Sequence, residues 1–122
     1  WEGGEKLAAS FSNYGAERVD VFAPGHSIYS TVPGNAYERN DGTSMAAPMV
    51  SGLAALIMAH YPSLTATDVR DIILETATPY QDQPVARPGD GETVPFGTLS
   101  DTGAVVNARA ALQRAAERVA AR

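Results

Sequence analysis

Residues 40–48 read NDGTSMAAP and set one serine, Ser44, at the mouth of an apolar segment, behind a glycine and ahead of small residues. At the start of a helix the first backbone N–H groups have no helical partner, and the helix dipole favours negative charge there. An oxyanion forming beside Ser44 would be stabilised by those groups. Gly42 lets the chain turn tightly and lets a substrate approach. The same pattern fits a plainer role, because serine and threonine are common helix N-caps. Local pattern alone leans towards the cap.

A serine nucleophile also needs a general base, and the chain offers two histidines. His60 lies 16 residues along the same predicted helix, so it sits about 24 Å away at 1.5 Å per residue and cannot reach. His26 follows a Pro24-Gly25 turn, and nothing in the sequence places it beside Ser44. The pair has no metal-ligand spacing, and without cysteine there is neither a thiolate metal site nor a disulfide framework. The G-x-S-x-G elbow of the α/β-hydrolases is not matched, since Ala46 stands where its second glycine belongs.

The elements that must position Ser44 follow from periodicity. Residues 7–14 read weakly as a strand running into a polar turn. Residues 19–23 alternate and stop at Pro24-Gly25, and residues 27–32 are β-branched and aromatic and stop at Pro33-Gly34. Residues 35–42 read as polar loop. From Gly42 to Thr67 there is no Asp, Glu, Lys or Arg, and from Met45 to Ala59 the only polar side chain is Ser51. Such a helix is apolar all round and must be buried. Gly52, Ala46, Ala47, Ala54 and Ala55 suit close approach by neighbours, and Pro48 falls near the first turn. A membrane span needs roughly 20 apolar residues; this run is shorter, so no span is expected. Tyr61-Pro62 ends the helix. Thr65 and Asp68 form a capping-box-like start for a second helix whose Val69, Ile72, Ile73 and Thr76 share one face. Residues 78–104, rich in Pro, Gly and Asp, read as a long surface connection. Asn107 caps a final helix over residues 107–121, with Val106, Ala110, Ala111 and Leu112 as its inner contacts.

At 122 residues the chain is at most one domain, with room for a small core. Its net charge of −5 gives no basic field for nucleic acid. Residues 107–122 hold four arginines against one glutamate, which reads as a cationic tail helix. The chain begins at Trp1 without an initiator Met, so the lack of a visible signal peptide carries no weight.

GTSMAAPMVSGLAALI, residues 42–57, resembles the nucleophile block of the subtilisin-like serine proteases, the subtilase family. SFSNYG, VDVFAPG and SIYST stand upstream in the family's order; PSLTATDVRDIILETA is similar to its next helix, and GAVVNARAAL to its closing G-x-G-x-x-N-A segment. The match runs over nearly the whole chain, with residues 78–102 least typical. The resemblance implies an α/β fold, part of a three-layer α/β/α arrangement with a mostly parallel sheet around the buried helix that starts near Ser44. It makes Ser44 the nucleophile and, through its backbone N–H, an oxyanion donor, with the Thr43 hydroxyl assisting. Met45 becomes an oxidation hazard beside the site. Met49 stands where many members have a histidine that is not the base.

The family's order of catalytic groups is Asp, His, oxyanion Asn, then Ser; no H-G-T block occurs in these residues, and the D-T-G at Asp101–Gly103 follows Ser44, out of that order. The resemblance therefore implies that residues 1–122 are the C-terminal portion of a catalytic domain, inert as a protease by themselves. Its partners would be a polypeptide substrate and a complementary N-terminal portion, or else a second copy of the chain. The rival reading is a non-catalytic pseudoprotease or interaction module that keeps the fold. No cofactor is expected in this chain. Calcium, where the family binds it, belongs mostly to segments not present here; Asp20 is a loose candidate, with a solvated carboxylate as the plainer reading. The family's habit implies a secreted or extracytoplasmic protein.

Overall fold

The computed structural model describes residues 7–122. In chain order the elements are β1 (Ile28–Val32), β2 (Ala36–Asn40), α1 (Thr43–His60), α2 (Ala66–Glu75), β3 (Thr78–Pro79), β4 (Pro84–Ala86), β5 (Thr93–Pro95), a 3₁₀ turn (Phe96–Thr98), β6 (Ala104–Val105) and α3 (Ala108–Ala120). Three antiparallel ribbons form, β1 with β2, β3 with β6 and β4 with β5. Of the mostly parallel sheet implied by the resemblance, the described residues hold one parallel bridge, Phe22 to Val105.

The helices end where the sequence predicts. Gly42 is the N-cap of α1, and Tyr61 closes it by donating its N–H to the Ile57 carbonyl at 2.8 Å. Pro48 lies in the second turn, one turn later than expected, where the amide it lacks would have bonded the Ser44 carbonyl. Thr65 and Asp68 make the full capping box: the Asp68 N–H donates to Thr65 Oγ1 at 3.1 Å, and the Thr65 N–H donates to Asp68 Oδ2 at 2.8 Å. Asn107 Oδ1 accepts the Ala110 N–H at 3.0 Å and starts α3.

Two clusters make the core. The first joins Leu53 and Ile57 of α1, Leu64 of the connection that follows, Val69, Ile72 and Ile73 of α2, and Ala111 and Ala115 of α3. The two alanines let α3 approach closely, and each is fully buried. The second gathers Ala8, Val85, Phe96 and Leu99, with the Phe22 ring tilted against Phe96 at 4.8 Å and Tyr80 edge-on to it at 6.3 Å. Residues 78–104 are thus more than the surface connection their composition suggested, since they supply Val85, Phe96 and Leu99 to this cluster. Residues 7–14 form bends and a turn rather than a strand. Residues 36–40, read as loop, are β2. Their side chains are exposed, and they become a strand by pairing with β1 across Pro33-Gly34-Asn35, where Gly34 and Asn35 take φ of 85° and 56°.

α1 obtains only part of the burial its composition demands. Leu53 and Ile57 lie one turn apart on a single stripe and are buried, whereas Met49, Leu56 and Met58 are 41%, 41% and 48% exposed. A Cβ added at Gly52 would meet nothing within 4 Å. With 18 residues and a mean hydropathy of 1.3, α1 is the one described helix long and apolar enough to cross a bilayer. Its inner stripe instead packs against α2 and α3.

Three of the four arginines of the cationic tail are paired. Arg118 lies 3.1 Å from Glu75, Arg114 3.3 Å from Glu75 and Arg122 2.8 Å from Asp68, so the basic face of α3 meets the acidic edge of α2. Asp68 is held well below the usual carboxylate range, first by the Thr65 hydroxyl, then by the Thr65 backbone N–H and by Arg122. A lowered folded-state value means that the unfolded chain binds more protons in acid, so stability falls with pH below about 4. The melting-temperature gap between the wild type and Asp68→Asn should be widest at neutral pH and should narrow steadily as pH falls from about 4 towards 2. A gap that stays constant over that range would refute this role for Asp68.

Candidate active site

The nucleophile turn is built by two glycines. Gly42 has φ 154° and ψ 162°, a region essentially reserved for glycine. Its N–H donates to the Gly25 carbonyl at 2.8 Å, and its own carbonyl accepts from Met45 at 3.0 Å and Ala46 at 3.3 Å. A Cβ at Gly25 would stand 2.7 Å from the Gly42 oxygen and 3.1 Å from Ala46 Cβ. The Pro24-Gly25 turn and the start of α1 therefore touch backbone to backbone.

Ser44 is exposed at the second position of α1. It does not cap the helix: Gly42 occupies that position, and no side chain bonds the first turn. Among the described residues the Ser44 hydroxyl has no hydrogen-bond partner. The N–H groups of Thr43 and Ser44 precede the helical ladder and likewise lack protein partners among those residues. No acidic side chain occupies the first turn. A developing oxyanion would thus meet unspent donors at a positive helix end. Thr43 is the exposed first residue of α1, on the same turn.

Neither histidine is bonded to Ser44. His60 Nδ1 contacts the Leu56 carbonyl at 3.1 Å, at the far end of α1. His26 Nδ1 lies 3.0 Å from Asp41 Oδ1. That pairing was not legible in the sequence, although Asp41 stands three residues before Ser44. Asp41 Oδ1 also accepts the Ser27 N–H, and Arg39 Nη1 donates to the Ser27 carbonyl at 3.0 Å. Beyond it, Tyr29 and Tyr37 stack at 5.6 Å on the exposed face of the β1–β2 hairpin, with Arg39 over the Tyr29 ring at 5.5 Å. Asp20 pairs with Arg70 at 3.6 Å, and no three His, Asp or Glu side chains converge as a metal-ligand group among the described residues. An open apolar groove of about 280 Å³ runs between α1 and α2, lined by Val50, Ala54, Met58, Val69 and Ile73; Ser44 is not part of it.

A solvent-facing serine at a helix start with free amides, in this order of blocks, is the arrangement of a subtilase, and the chain belongs to the subtilase family, whose sequence model matches residues 3–97. It is 55% identical to subtilisin DY of Bacillus licheniformis over 73 residues, covering 60% of this chain and 26% of that protein. It is 42% identical to alkaline elastase YaB of Bacillus sp. (strain YaB) over 103 residues, covering 84% of this chain and 23% of that protein. Among solved structures it matches one described as the structural basis of subtilase cytotoxin SubAB assembly. That match has a TM-score of 0.71 at 28% identity, over 86% of this chain and 29% of the other. The patellamide maturation protease PatA matches with a TM-score of 0.56 at 30% identity, over 80% of this chain and 34% of the other. The architecture is accordingly part of a subtilisin-like α/β fold, and the chain spans about a quarter of the length of these two Bacillus relatives.

The contact between the two glycine turns can be tested alone. Gly25→Ala should lower stability by about 1–3 kcal/mol, because the new methyl must push the Gly42 carbonyl aside. Urea unfolding with an unchanged midpoint would show that the two turns do not depend on each other.

Proposed function

We propose that this chain is the nucleophile-bearing C-terminal portion of a subtilisin-type serine endopeptidase. The observation that carries the reading is Ser44, exposed and unbonded among the described residues at the start of α1, beside backbone donors with no partner there. In the reaction Ser44 Oγ attacks the scissile carbonyl carbon as its proton passes to a base. The negative oxygen of the tetrahedral intermediate is held by the Ser44 N–H, with the Thr43 hydroxyl assisting. Collapse breaks the C–N bond, the leaving amine takes the proton, and water then hydrolyses the acyl-enzyme. His26 is engaged by Asp41 and His60 lies at the other end of α1, so the base belongs to a part of the catalytic domain outside these residues. The substrate is a polypeptide, and the working protein is extracytoplasmic, in keeping with the family's habit.

Without the base and the residue that orients it, these 122 residues are inert, since their loss removes several powers of ten in rate. The exposed apolar side chains of α1, Met49 and Leu56 on one side and Met58 on the opposite one, support a complementary N-terminal portion as the natural cover, with self-association as the outcome when it is missing. The rival, a non-catalytic module, makes opposite forecasts.

A fluorophosphonate probe should leave the chain alone unlabelled, label it once the complementary portion is present, and fail on Ser44→Ala. Labelling that survives in Ser44→Ala removes the assignment, and a complete domain that never labels favours the non-catalytic module. Sedimentation of the chain alone should show self-association that disappears on adding the complementary portion. A monodisperse, stable monomer would contradict the incomplete-domain reading.

A further inference from the structure

We propose that Asp41 is a positioning residue for Ser44, acting through a clamp that ties residues 25–27 to the start of α1. The inference rests on the reading of Ser44 as nucleophile. Its own support is geometric. One carboxylate oxygen of Asp41, Oδ1, receives the Ser27 N–H and stands 3.0 Å from His26 Nδ1. A carboxylate only accepts, so the His26 nitrogen facing it carries the proton. The next residue, Gly42, donates its N–H to Gly25 at 2.8 Å. Ser27 is held at φ 55°, one of two described non-glycine residues with a positive φ, and such a conformation persists only when its surroundings over-determine it. Arg39, from β2, fixes the far side by donating to the Ser27 carbonyl at 3.0 Å. Bonds from Asp41, Gly42 and Arg39 thus converge on three residues, 25–27, that contain no regular element of their own.

The clamp bears on catalysis because of where it sits. The chain enters α1 through Asp41 and Gly42, and Gly42 has no side chain with which to hold its own place. Two anchors fix that entry, the Gly42 N–H to Gly25 and the Asp41 carboxylate to the residues that follow Gly25. Loss of the second leaves the first attached to an untethered turn, and the direction of the Ser44 Oγ becomes variable. A misplacement of about 1 Å at a reacting atom costs on the order of a hundredfold in rate. Hairpin and nucleophile are linked by the same group, since Asp41 joins the end of β2 to α1 and reaches back to the start of β1.

The clamp is a matter of acceptor geometry, and this separates it from a charge effect. Asp41→Asn keeps one acceptor oxygen for both donors, whereas Asp41→Ala keeps none. Two measurements on the complete catalytic protein test it. The first is amide hydrogen exchange at Ser27 and Gly42: protection should fall in Asp41→Ala and be retained in Asp41→Asn. The second is the rate of fluorophosphonate labelling, in which Ser44 Oγ bonds to phosphorus and fluoride leaves, together with peptide hydrolysis. Asp41→Ala should lose about tenfold to a hundredfold in labelling and in kcat with little change in KM, and Asp41→Asn should remain within about threefold of wild type. Unchanged protection in Asp41→Ala overturns the clamp whatever the activity. A drop in Asp41→Asn as deep as in Asp41→Ala overturns it in favour of charge. A wild-type protein that fails to label removes the nucleophile, and with it any positioning role, while the exchange data still report the clamp itself.

Discussion

The contact of Leu53 and Ile57 with α2 and α3 fixes α1, and everything at the start of that helix depends on it. α1 has no charged side chain and cannot be held by ion pairs or by a wet face. What anchors it is one stripe of apolar contact, two buried side chains a turn apart, against a pair of helices that are themselves well fastened. The stripe lies in the C-terminal half of the helix, so the first two turns project from the core towards the Pro24-Gly25 turn. The nucleophile turn is reached by a rod held in its C-terminal half and steadied at its tip by backbone contact with Gly25.

The division of labour between forces is clear in the other two helices. α2 and α3 meet through alanines on the inside and through ion pairs at the rim. Exposed pairs of that kind contribute little singly. Here, however, Asp68 also closes the capping box of α2, so one carboxylate serves the start of one helix and the end of another. The second cluster is held differently, by three aromatic rings and by ribbons of two or three residues per strand. Such short strands are stable only because a core covers them.

Much of this was legible in the sequence, for reasons that are local. α1 announces itself by its lack of charge, α2 by Thr65 and Asp68, and α3 by Asn107 and its alanines. Ser44 and Thr43 could be singled out because a serine before a run of small residues is a chemical pattern. What escaped depended on pairing at a distance. β2 has no apolar alternation and exists only opposite β1. Val85, Phe96 and Leu99 are spaced by prolines and glycines and show no period. Asp41 and His26 are 15 residues apart, and only the hairpin folded between them brings them together. Burial was misjudged in part for a different reason: the sequence states how much cover α1 requires, whereas these residues supply it on one side.

Gly52 shows this from another direction. In the middle of an exposed helix a glycine costs about 1 kcal/mol relative to alanine, and none of the described residues makes use of the space it leaves. A chain shaped solely by its own stability would have no reason to keep it. The surface over Gly52 is open, so another backbone could come nearer to α1 there than over a residue that carries a Cβ. Optimising this chain for stability in isolation would put alanine at Gly52 first, and the gain would close that line of approach to α1.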